Sequence, residues 1–199
     1  MNDKVLITGA DGFVGKHIRG GKPYIGRITH LGLSKQTKDC VGILHLAAKS
    51  NKRICEDDTA GCLQSNLYGL CDVLEIALQK KLWVVHASTF AVSDTSLYGL
   101  SKLIGEEICH IYQRKGVEVH IIRLPIIYGP HDQADKVVTK FISQLKRGIE
   151  PSIGNGAKFP FAYVEDIAVM FESICDRLAG GYGKPFTLRE LRDAIKECL

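Results

Sequence analysis

The chain has 199 residues and a net charge of +4, with 45% hydrophobic and 24% charged residues. These values are typical of a soluble globular protein that forms one domain, or one domain with a small lobe. A charge this mild, without a basic run, argues against nucleic acid as a partner, and no apolar stretch is long enough to span a membrane. The sequence enters its first strand without a signal peptide, so we expect a cytoplasmic protein.

The first predicted elements are a strand and a glycine-rich turn. Residues 5–8 form a short apolar run, typical of a buried parallel strand, and Gly9, Gly12 and Gly15 follow it. Glycines at this spacing let the backbone turn tightly, approach a phosphate and pack a new helix against the sheet. That helix, beginning near Val14, would direct its free amides at an anion. Three glycines can also form only a turn, and that alternative stays open from the spacing alone.

The rest of the chain alternates between predicted strands and helices. After a short helix that ends near residues 20–21, strands are predicted at 27–33, 41–48, 82–87 and 117–124, and longer helices at 63–80 and 98–113. This alternation predicts an α/β fold with a doubly wound, mostly parallel sheet and helices on both faces. Ligands bind such sheets at the carboxyl ends of the strands. The residues expected there are the glycine turn, Ser34, Lys35, Ala47, Ala48 and Thr89.

The cysteines predict no metal site and no disulfide. None of the seven forms a C-x-x-C pair, and their number is odd. We therefore expect reduced thiols, several of them buried in the core. They are Cys40, Cys55, Cys62, Cys71, Cys109, Cys175 and Cys198.

Tyr98 and Lys102 form the strongest candidate catalytic pair. They are four residues apart and therefore share one face of the predicted helix. A neighbouring cation favours the phenolate, so we expect Lys102 to lower the pKa of Tyr98. Such a phenol can exchange a proton with an alcohol or a ketone during hydride transfer, and the Thr89 hydroxyl can hold the reacting oxygen. The alternative is an ordinary solvated helix face.

Six motifs in order give the chain a resemblance to a known family. They are residues 8–15, 45–48, 87–89, 98–102, 123–130 and 163–168. Together they resemble the extended short-chain dehydrogenases/reductases, the NAD-dependent epimerase/dehydratase family that acts mainly on nucleotide sugars. The resemblance implies a Rossmann-type domain that binds NAD or NADP, with Thr89, Tyr98 and Lys102 as the catalytic triad.

The resemblance also implies further site residues. Cofactor contacts are expected from Gly9, Asp11, Gly12, Phe13, Val14, Gly15, Ser34, Lys35, Leu46, Ala47, Ala48, Tyr98, Lys102 and Pro125. Substrate contacts are expected from Thr89, Arg123 and Tyr128, although the last two can equally pack or pair structurally. Asn66 matches a family asparagine with a structural and proton-relay role. A homodimer through the helices around Asn66 and Tyr98 is expected as well.

The chain departs from the family pattern at several places. The segment from Lys35 to Val41 is too short for an additional helix and strand, so we expect a sheet without that edge strand. Thr89 and Tyr98 are only nine residues apart, which shortens a loop that usually covers the substrate. The arginine that the resemblance implies for binding a sugar-nucleotide diphosphate is absent from 155–163. Lys158 can take its place, although an ordinary surface lysine is the better interpretation there. A final helix is expected after Thr187, which begins a capping box.

These features lead to one functional expectation with alternatives. Residues 1–130 are expected to form the NAD(P)-binding domain with the catalytic residues, and 131–199 a reduced substrate-binding part interleaved with the core. The expected activity is that of an NAD(P)-dependent epimerase or dehydratase acting on a nucleotide sugar or related sugar. An NADP-dependent ketoreductase and a catalytically reduced dinucleotide-binding sensor or scaffold are the alternatives. Because Ser34 and Lys35 have no acid beside them before Asp39, NADP is slightly favoured over NAD.

Overall fold

A five-stranded parallel sheet forms the centre of the protein in a computed structural model that describes residues 1–134, 136–152 and 160–180. Its strands are β1 (Val5–Thr8), β2 (Lys22–Pro23), β3 (Gly42–His45), β4 (Trp83–Thr89) and β5 (Val119–Leu124). Their order is β2-β1-β3-β4-β5, so the chain changes direction across the sheet at β1. This is the doubly wound topology that creates a ligand crevice at the switch point. The predicted fold class is confirmed.

Seven helices surround the sheet in the described part of the chain. They are α1 (His30–Gln36), α2 (Lys52–Asp57), α3 (Thr59–Leu63), α4 (Gly69–Lys80), α5 (Leu97–Arg114), α6 (Val137–Lys146) and α7 (Val164–Ala179). One π-helical turn, Gln64–Tyr68, connects α3 to α4. Two short strands, β6 (Ile126–Tyr128) and β7 (Phe161–Tyr163), form a separate parallel pair. No helix within the described ranges has the length and apolar character needed to cross a membrane.

Each face of the sheet carries its own hydrophobic core. On one face, residues of α4 and α5 such as Leu74 and Cys109 pack against Ile43 and Val84 of the strands. On the other face, α7 packs on the sheet, with Phe171 fully buried. The helices on both faces leave only the strand ends for a ligand, as in other parallel sheets.

Four of the helices begin at a side-chain cap that the sequence encodes. In each case the capping side chain accepts a hydrogen bond from a main-chain amide of the first turn, which would otherwise lack a partner. The four pairs are Thr29 with Gly32, Asn51 with Ile54, Asp58 with Gly61 and Ser96 with Gly99.

The second predicted strand is wrong. The segment predicted as a strand from Arg27 to Leu33 instead leads into helix α1, which begins after the Thr29 cap and buries Leu33 in the core. The true second strand is shorter and lies earlier, after a turn at Gly20 and Gly21, both with positive φ. No strand is described between α1 and β3, as expected from the short segment after Lys35.

The prediction of reduced thiols is wrong for two cysteines. Cys55 and Cys62 form a disulfide, with their Cα atoms 5.1 Å apart. The fold brings them together by placing α2 and α3 side by side, which spacing along the chain does not reveal. Cys40, Cys71, Cys109 and Cys175 are unpaired, whereas Cys198 lies outside the described residues. Lys158 and the helix predicted after Thr187 also lie outside them.

Candidate active site

The glycine turn and the loop after β3 meet at the carboxyl edge of the sheet. Gly9 has φ +75°, and a Cβ atom there would lie 2.7 Å from the main-chain nitrogen of Ala47. A Cβ atom on Gly15 would lie 2.3 Å from the carbonyl oxygen of Gly9. Both positions therefore require glycine, because the backbone segments approach each other too closely for a side chain.

The helix after the glycine turn is much shorter than predicted. Only Gly15–His17 are helical, as one 3₁₀ turn, and the next residue, Ile18, is already extended. The turn itself is compact, since the amide of Gly12 donates to the carbonyl of Gly9 over 2.9 Å. Asp11 and Gly12 are exposed at its tip. Any anion held here relies on local amides, because one turn supplies little helix dipole.

A polar pair fixes the ends of β1 and β3 beneath this turn. The Thr8 hydroxyl and Nδ1 of His45 are hydrogen-bonded at 2.7 Å, and both residues are buried. The Leu46 amide donates to the Thr8 carbonyl over 3.1 Å, which leads the chain into Ala47 and Ala48. Burial, and then the charge of Lys102, lower the pKa of His45 to about 3, so this imidazole is neutral.

Thr89 and Tyr98 come together as the sequence predicts. Thr89 is the last residue of β4, and its hydroxyl accepts a hydrogen bond from the Ala91 amide over 3.1 Å. Tyr98 lies in the first turn of α5, and its phenol lies close enough to the Thr89 hydroxyl for that hydroxyl to lower the pKa of Tyr98. The two side chains thus present adjacent hydroxyl groups at the carboxyl edge of the sheet.

The predicted effect of Lys102 on the Tyr98 pKa is wrong in this structure. Burial raises the pKa of Tyr98, and the Asp94 carboxylate raises it further, although the Thr89 hydroxyl lowers it. The ammonium of Lys102 instead donates to the carbonyl of Ala87 over 2.7 Å. Lys102 is buried, and desolvation lowers its own pKa to about 8.

An acidic residue that the sequence analysis missed organises the start of α5. The Asp94 carboxylate accepts hydrogen bonds from the amide and the hydroxyl of Ser96, and it forms an ion pair with Lys52 of α2. Glu56 of α2 also accepts a hydrogen bond from the Leu97 amide over 2.8 Å. These contacts hold the start of α5, where Tyr98 lies. Only the polar character of residues 93–96 signals them in the sequence.

Asn66 connects the loop after β3 to helix α5. Its Oδ1 accepts a hydrogen bond from the Lys49 amide over 2.8 Å, and its Nδ2 donates to the Lys49 carbonyl over 3.1 Å. Nδ2 also donates to the Ser101 hydroxyl over 3.0 Å, and that hydroxyl donates to the Tyr98 carbonyl over 2.8 Å. The side chain is buried and lies in the π-helical turn.

Arg123 and Tyr128 have partners within the protein. Arg123 makes a two-pronged ion pair with Glu106 of α5, with its shortest contact at 2.6 Å. Glu106 also accepts a hydrogen bond from Ser88, so these hydrogen bonds lower its pKa despite its burial. The rings of Tyr128 and Tyr163 lie 5.6 Å apart. The sequence left open whether Arg123 and Tyr128 contact substrate or have a structural role. The contacts described here are those of the structural role.

Pro125 lies at the expected edge, whereas Ser34 and Lys35 do not. Pro125 separates β5 from β6 and therefore follows the strand next to β4. Ser34 and Lys35 are residues of α1, and the Ser34 carbonyl accepts a hydrogen bond from Lys80 over 2.6 Å. Neither residue ends a strand, so the basis for preferring NADP at these two positions is removed. No cluster of histidine, cysteine, aspartate and glutamate suited to a metal ion occurs in the described part of the chain.

Comparison with known proteins supports a common family for this fold and site. The chain matches the model of the NAD dependent epimerase/dehydratase family over residues 32–185. It is 25% identical to UDP-glucuronate 4-epimerase 2 of Arabidopsis thaliana, over 82% of this chain and 52% of that protein. It is 27% identical to UDP-2-acetamido-2,6-beta-L-arabino-hexul-4-ose reductase of Pseudomonas aeruginosa, over 87% of this chain and 50% of that protein. The chain thus spans about half the length of these two curated relatives.

A solved structure gives the same result for the fold. The structure of MoeE5 in complex with UDP-glucuronic acid and NAD superposes with a TM-score of 0.73 and 25% sequence identity, covering 84% of this chain and 70% of that one. The family match extends over more than half of the sequence and includes Thr89, Tyr98 and Lys102. The chain belongs to the NAD-dependent epimerase/dehydratase family.

Proposed function

We propose that the protein binds a nicotinamide dinucleotide at the carboxyl edge of the sheet and oxidises or reduces a hydroxyl or carbonyl carbon of a nucleotide sugar. The observation that carries the proposal is the proximity of the Tyr98 phenol and the Thr89 hydroxyl, with the buried ammonium of Lys102 one helical turn further along α5. MoeE5, which binds UDP-glucuronic acid and NAD, supports this substrate class and this cofactor. Epimerisation and dehydration begin with oxidation of a hydroxyl group, and net reduction uses the same proton and hydride transfers in the opposite direction.

The residues at the edge fit a dinucleotide. The close approach of Gly9 to Ala47 leaves the turn without side-chain bulk, so its backbone can contact a diphosphate. We assign to this diphosphate the residues Gly9, Asp11, Gly12, Phe13, Val14 and Gly15, and to the nicotinamide half Leu46, Ala47, Ala48 and Pro125. The bound cofactor supplies the hydride acceptor or donor.

Tyr98 carries the proton in this proposal. Its phenol donates to a carbonyl oxygen during reduction, or accepts the proton of an alcohol during oxidation, while Thr89 holds that oxygen by a hydrogen bond. The burial that raises the Tyr98 pKa keeps the phenol protonated, which suits donation. A base at this position needs the ammonium of Lys102 closer to the phenol. We infer that Lys102 leaves the Ala87 carbonyl when a ligand ribose offers hydroxyl acceptors.

Cofactor choice depends on the side chains after β2. An acid there accepts hydrogen bonds from the ribose of NAD, whereas a cation attracts the additional phosphate of NADP. The residues that follow β2 contain no acid, and the first cation among them is Arg27, which is exposed. We propose that NADP is accepted as well as NAD, with Arg27 in the role that the sequence analysis gave to Lys35.

A dinucleotide-binding sensor without turnover is the second candidate. The glycine turn is followed by a single 3₁₀ turn, and the family match begins only after that turn, at residue 32. Both observations favour a weakened cofactor site. The proximity of the Thr89 and Tyr98 hydroxyl groups favours the enzyme instead, because a binding protein has no use for an acid/base pair.

We extend the proposal to a homodimer and to the division of the chain. Helix α5 exposes the apolar side chains Leu100, Leu103, Ile104 and Ile111, which a second copy would cover. Light scattering is expected to give the mass of two chains for the wild type and the mass of one chain for Ile104→Glu.

A nucleotide-binding part at 1–130 and a substrate-binding part at 131–199 remain part of this proposal, as does a cytoplasmic location.

The test of the proposed function is incubation with UDP-sugars in the presence of NAD⁺ or NADPH. The product sugars are identified by chromatography and mass spectrometry, because epimerisation and dehydration return the hydride to the sugar, and absorbance at the nicotinamide band records any net oxidation or reduction. Tyr98→Phe is expected to abolish transfer while changing the affinity for the cofactor only a few-fold, because the phenol hydroxyl acts on the substrate oxygen. Tyr68→Phe is the matched control, since Tyr68 is exposed and lies outside the site. Transfer by Tyr98→Phe at the wild-type rate would refute the assignment.

A further inference from the structure

A disulfide lies directly beneath the loop that follows β3. Cys55 of α2 and Cys62 of α3 are both fully buried, and their Cα separation of 5.1 Å is typical of a disulfide. The two cysteines are only seven residues apart, so the bridge restricts the unfolded chain less than a long-range bridge would. The location of the bridge, rather than its stabilising effect, indicates its role.

Both sulfur atoms contact the hydrogen-bond network around Asn66. Cys55 Sγ lies 3.4 Å from the carbonyl oxygen of Lys49, and Cys62 Sγ lies 3.5 Å from Nδ2 of Asn66. Nδ2 has two hydrogens but three acceptors nearby, because it also faces the Lys49 carbonyl and the Ser101 hydroxyl. Which of these acceptors Asn66 bonds to therefore depends on whether the sulfur atoms carry a proton and can donate hydrogen bonds themselves.

Reduction changes that distribution. In the disulfide, neither sulfur carries a proton, whereas each thiol has one S–H donor. The Cys55 thiol would then donate to the Lys49 carbonyl and compete there with Nδ2 of Asn66. Asn66 would shift its hydrogen bonds toward Ser101, whose hydroxyl is bonded to the Tyr98 carbonyl.

The bridged helices also contact the start of the catalytic helix. Glu56, the residue after Cys55, accepts the hydrogen bond of the Leu97 amide, and Lys52 forms the ion pair with Asp94. Helix α2 has only six residues, so its position depends on tertiary contacts and on the bridge. Opening the bridge loosens both ends of the network that holds Tyr98.

We propose that Cys55 and Cys62 form a reducible disulfide that sets the geometry of the candidate active site through Asn66 and α2. A thiolate of an external dithiol attacks one sulfur, the S–S bond breaks, and the second thiolate of the reductant resolves the mixed disulfide. Two electrons and two protons pass to the cysteine pair, and the reductant leaves as a disulfide. Because the sulfur atoms are buried, the attack follows local opening of the two short helices. An effect on turnover rests on the proposed function, whereas the change in geometry does not.

Hydrogen exchange of the oxidised and reduced proteins tests this proposal without substrate or cofactor. The protein is purified without reductant and compared before and after dithiothreitol, with free thiols located by alkylation and mass spectrometry. Reduction is expected to add alkylation at Cys55 and Cys62 and to accelerate exchange about tenfold at the amides of Lys49 and Leu97, since each loses part of a hydrogen bond. Reoxidation is expected to reverse both changes.

Two variants separate this effect from general destabilisation. Cys55→Ser/Cys62→Ser keeps a hydrogen-bond donor at each position. Its amides are therefore expected to exchange at the rates of the reduced wild type, and dithiothreitol is expected not to change these rates. Cys71→Ser, which removes a thiol outside the pair, is expected to respond to dithiothreitol like the wild type. Unchanged exchange at both amides after reduction, free thiols at both positions before it, or a response in the double variant would each overturn the proposal. Failure to bind a dinucleotide would count against the proposed function alone.

Discussion

The side-chain ammonium of Lys102 donates to the main-chain carbonyl of Ala87 over 2.7 Å in the buried space between α5 and β4. Holding a charge in this position opposes folding, because burial lowers the pKa of Lys102 from 10.5 to about 8. Below pH 8 the Lys102 side chain is protonated in both the folded and the unfolded chain. Burial of the charged ammonium therefore lowers the free energy of unfolding by its full amount, about 3 kcal/mol. Between pH 8 and 10.5 the folded chain releases the proton first, and stability rises.

Lys102→Met is therefore expected to be more stable than the wild type at pH 7. Loss of the hydrogen bond to Ala87 offsets about 1 kcal/mol, which leaves a gain of roughly 2 kcal/mol in the free energy of unfolding. Urea unfolding at pH 7 and pH 9.5 measures the difference, which narrows at the higher pH. Lys35→Met is the control at an exposed position, where no such difference is expected. A Lys102→Met protein less stable than the wild type at pH 7 would contradict this interpretation of the buried ammonium.

The Arg123–Glu106 ion pair also makes the folded protein more stable as the pH rises, but in the acidic range. Arg123→Met removes the ion pair of the buried Glu106 carboxylate and leaves it the hydrogen bond from Ser88, and we expect a loss of about 2 kcal/mol after allowance for the half-exposed arginine. The pKa of Glu106 is lowered by the pair, so the loss is present above the usual glutamate pKa, about 4.3. It disappears as the pH falls through the folded-state pKa and the carboxyl group becomes neutral.

Urea unfolding at pH 7 and pH 3 measures this effect. The double variant Arg123→Met/Glu106→Gln is expected to recover part of the loss at pH 7, because no unpaired charge then remains in the core. Equal losses in the single variant at both pH values would show that the arginine acts through packing and not through its charge.

Gly9→Ala tests the close approach of the glycine turn to the loop after β3. The substitution places a Cβ atom 2.7 Å from the Ala47 nitrogen in a left-handed conformation, and we expect a loss of about 3 kcal/mol in the free energy of unfolding. Gly26→Ala is the matched control, since Gly26 has φ +99° but no atom within 4 Å of the added Cβ. Its cost is expected to be about 1 kcal/mol, from backbone strain alone. Similar losses in thermal or urea unfolding for the two variants would argue against the close approach.

Cofactor affinities of two charge-reversal variants test the residue after β2. Arg27→Glu is expected to weaken NADPH binding about tenfold more than NADH binding, because it removes a cation from the additional phosphate and adds an anion there. Lys35→Glu lies in α1 and is expected to change both affinities equally. Isothermal titration measures the four affinities. A selective loss of NADPH binding in Lys35→Glu, with none in Arg27→Glu, would restore the first assignment.

The long periodic elements of this protein are predictable from its sequence. Apolar runs mark the strands that end at His45 and Thr89, and helical spacing marks α5, so Thr89 and Tyr98 are expected to meet where the structure has them. The parallel direction of the strands follows from their alternation with helices, because parallel strands need crossover connections. Much of the sheet and the central pair of the site are therefore local properties of the chain.

The features that could not be predicted from the sequence depend on side-chain caps and on how deeply side chains are buried. The Thr29 cap converts a β-like apolar segment into α1, which moves Ser34 and Lys35 away from the site. The depth at which Lys102 and Tyr98 lie decides the direction of their pKa shifts, and no spacing in the sequence records that depth. The Cys55–Cys62 pair likewise depends on how two short helices pack.

Calorimetric titration of the purified protein with NAD⁺, NADH, NADP⁺ and NADPH decides whether the carboxyl edge of this sheet is a dinucleotide site. The protein is first checked for cofactor carried through purification. One-to-one binding of at least one of the four, at micromolar or lower dissociation constant, is the expected result, with the heat lost in Gly9→Ala but kept in Gly26→Ala. Absence of binding by all four would contradict the proposed function, because the glycine turn would then serve only as a turn.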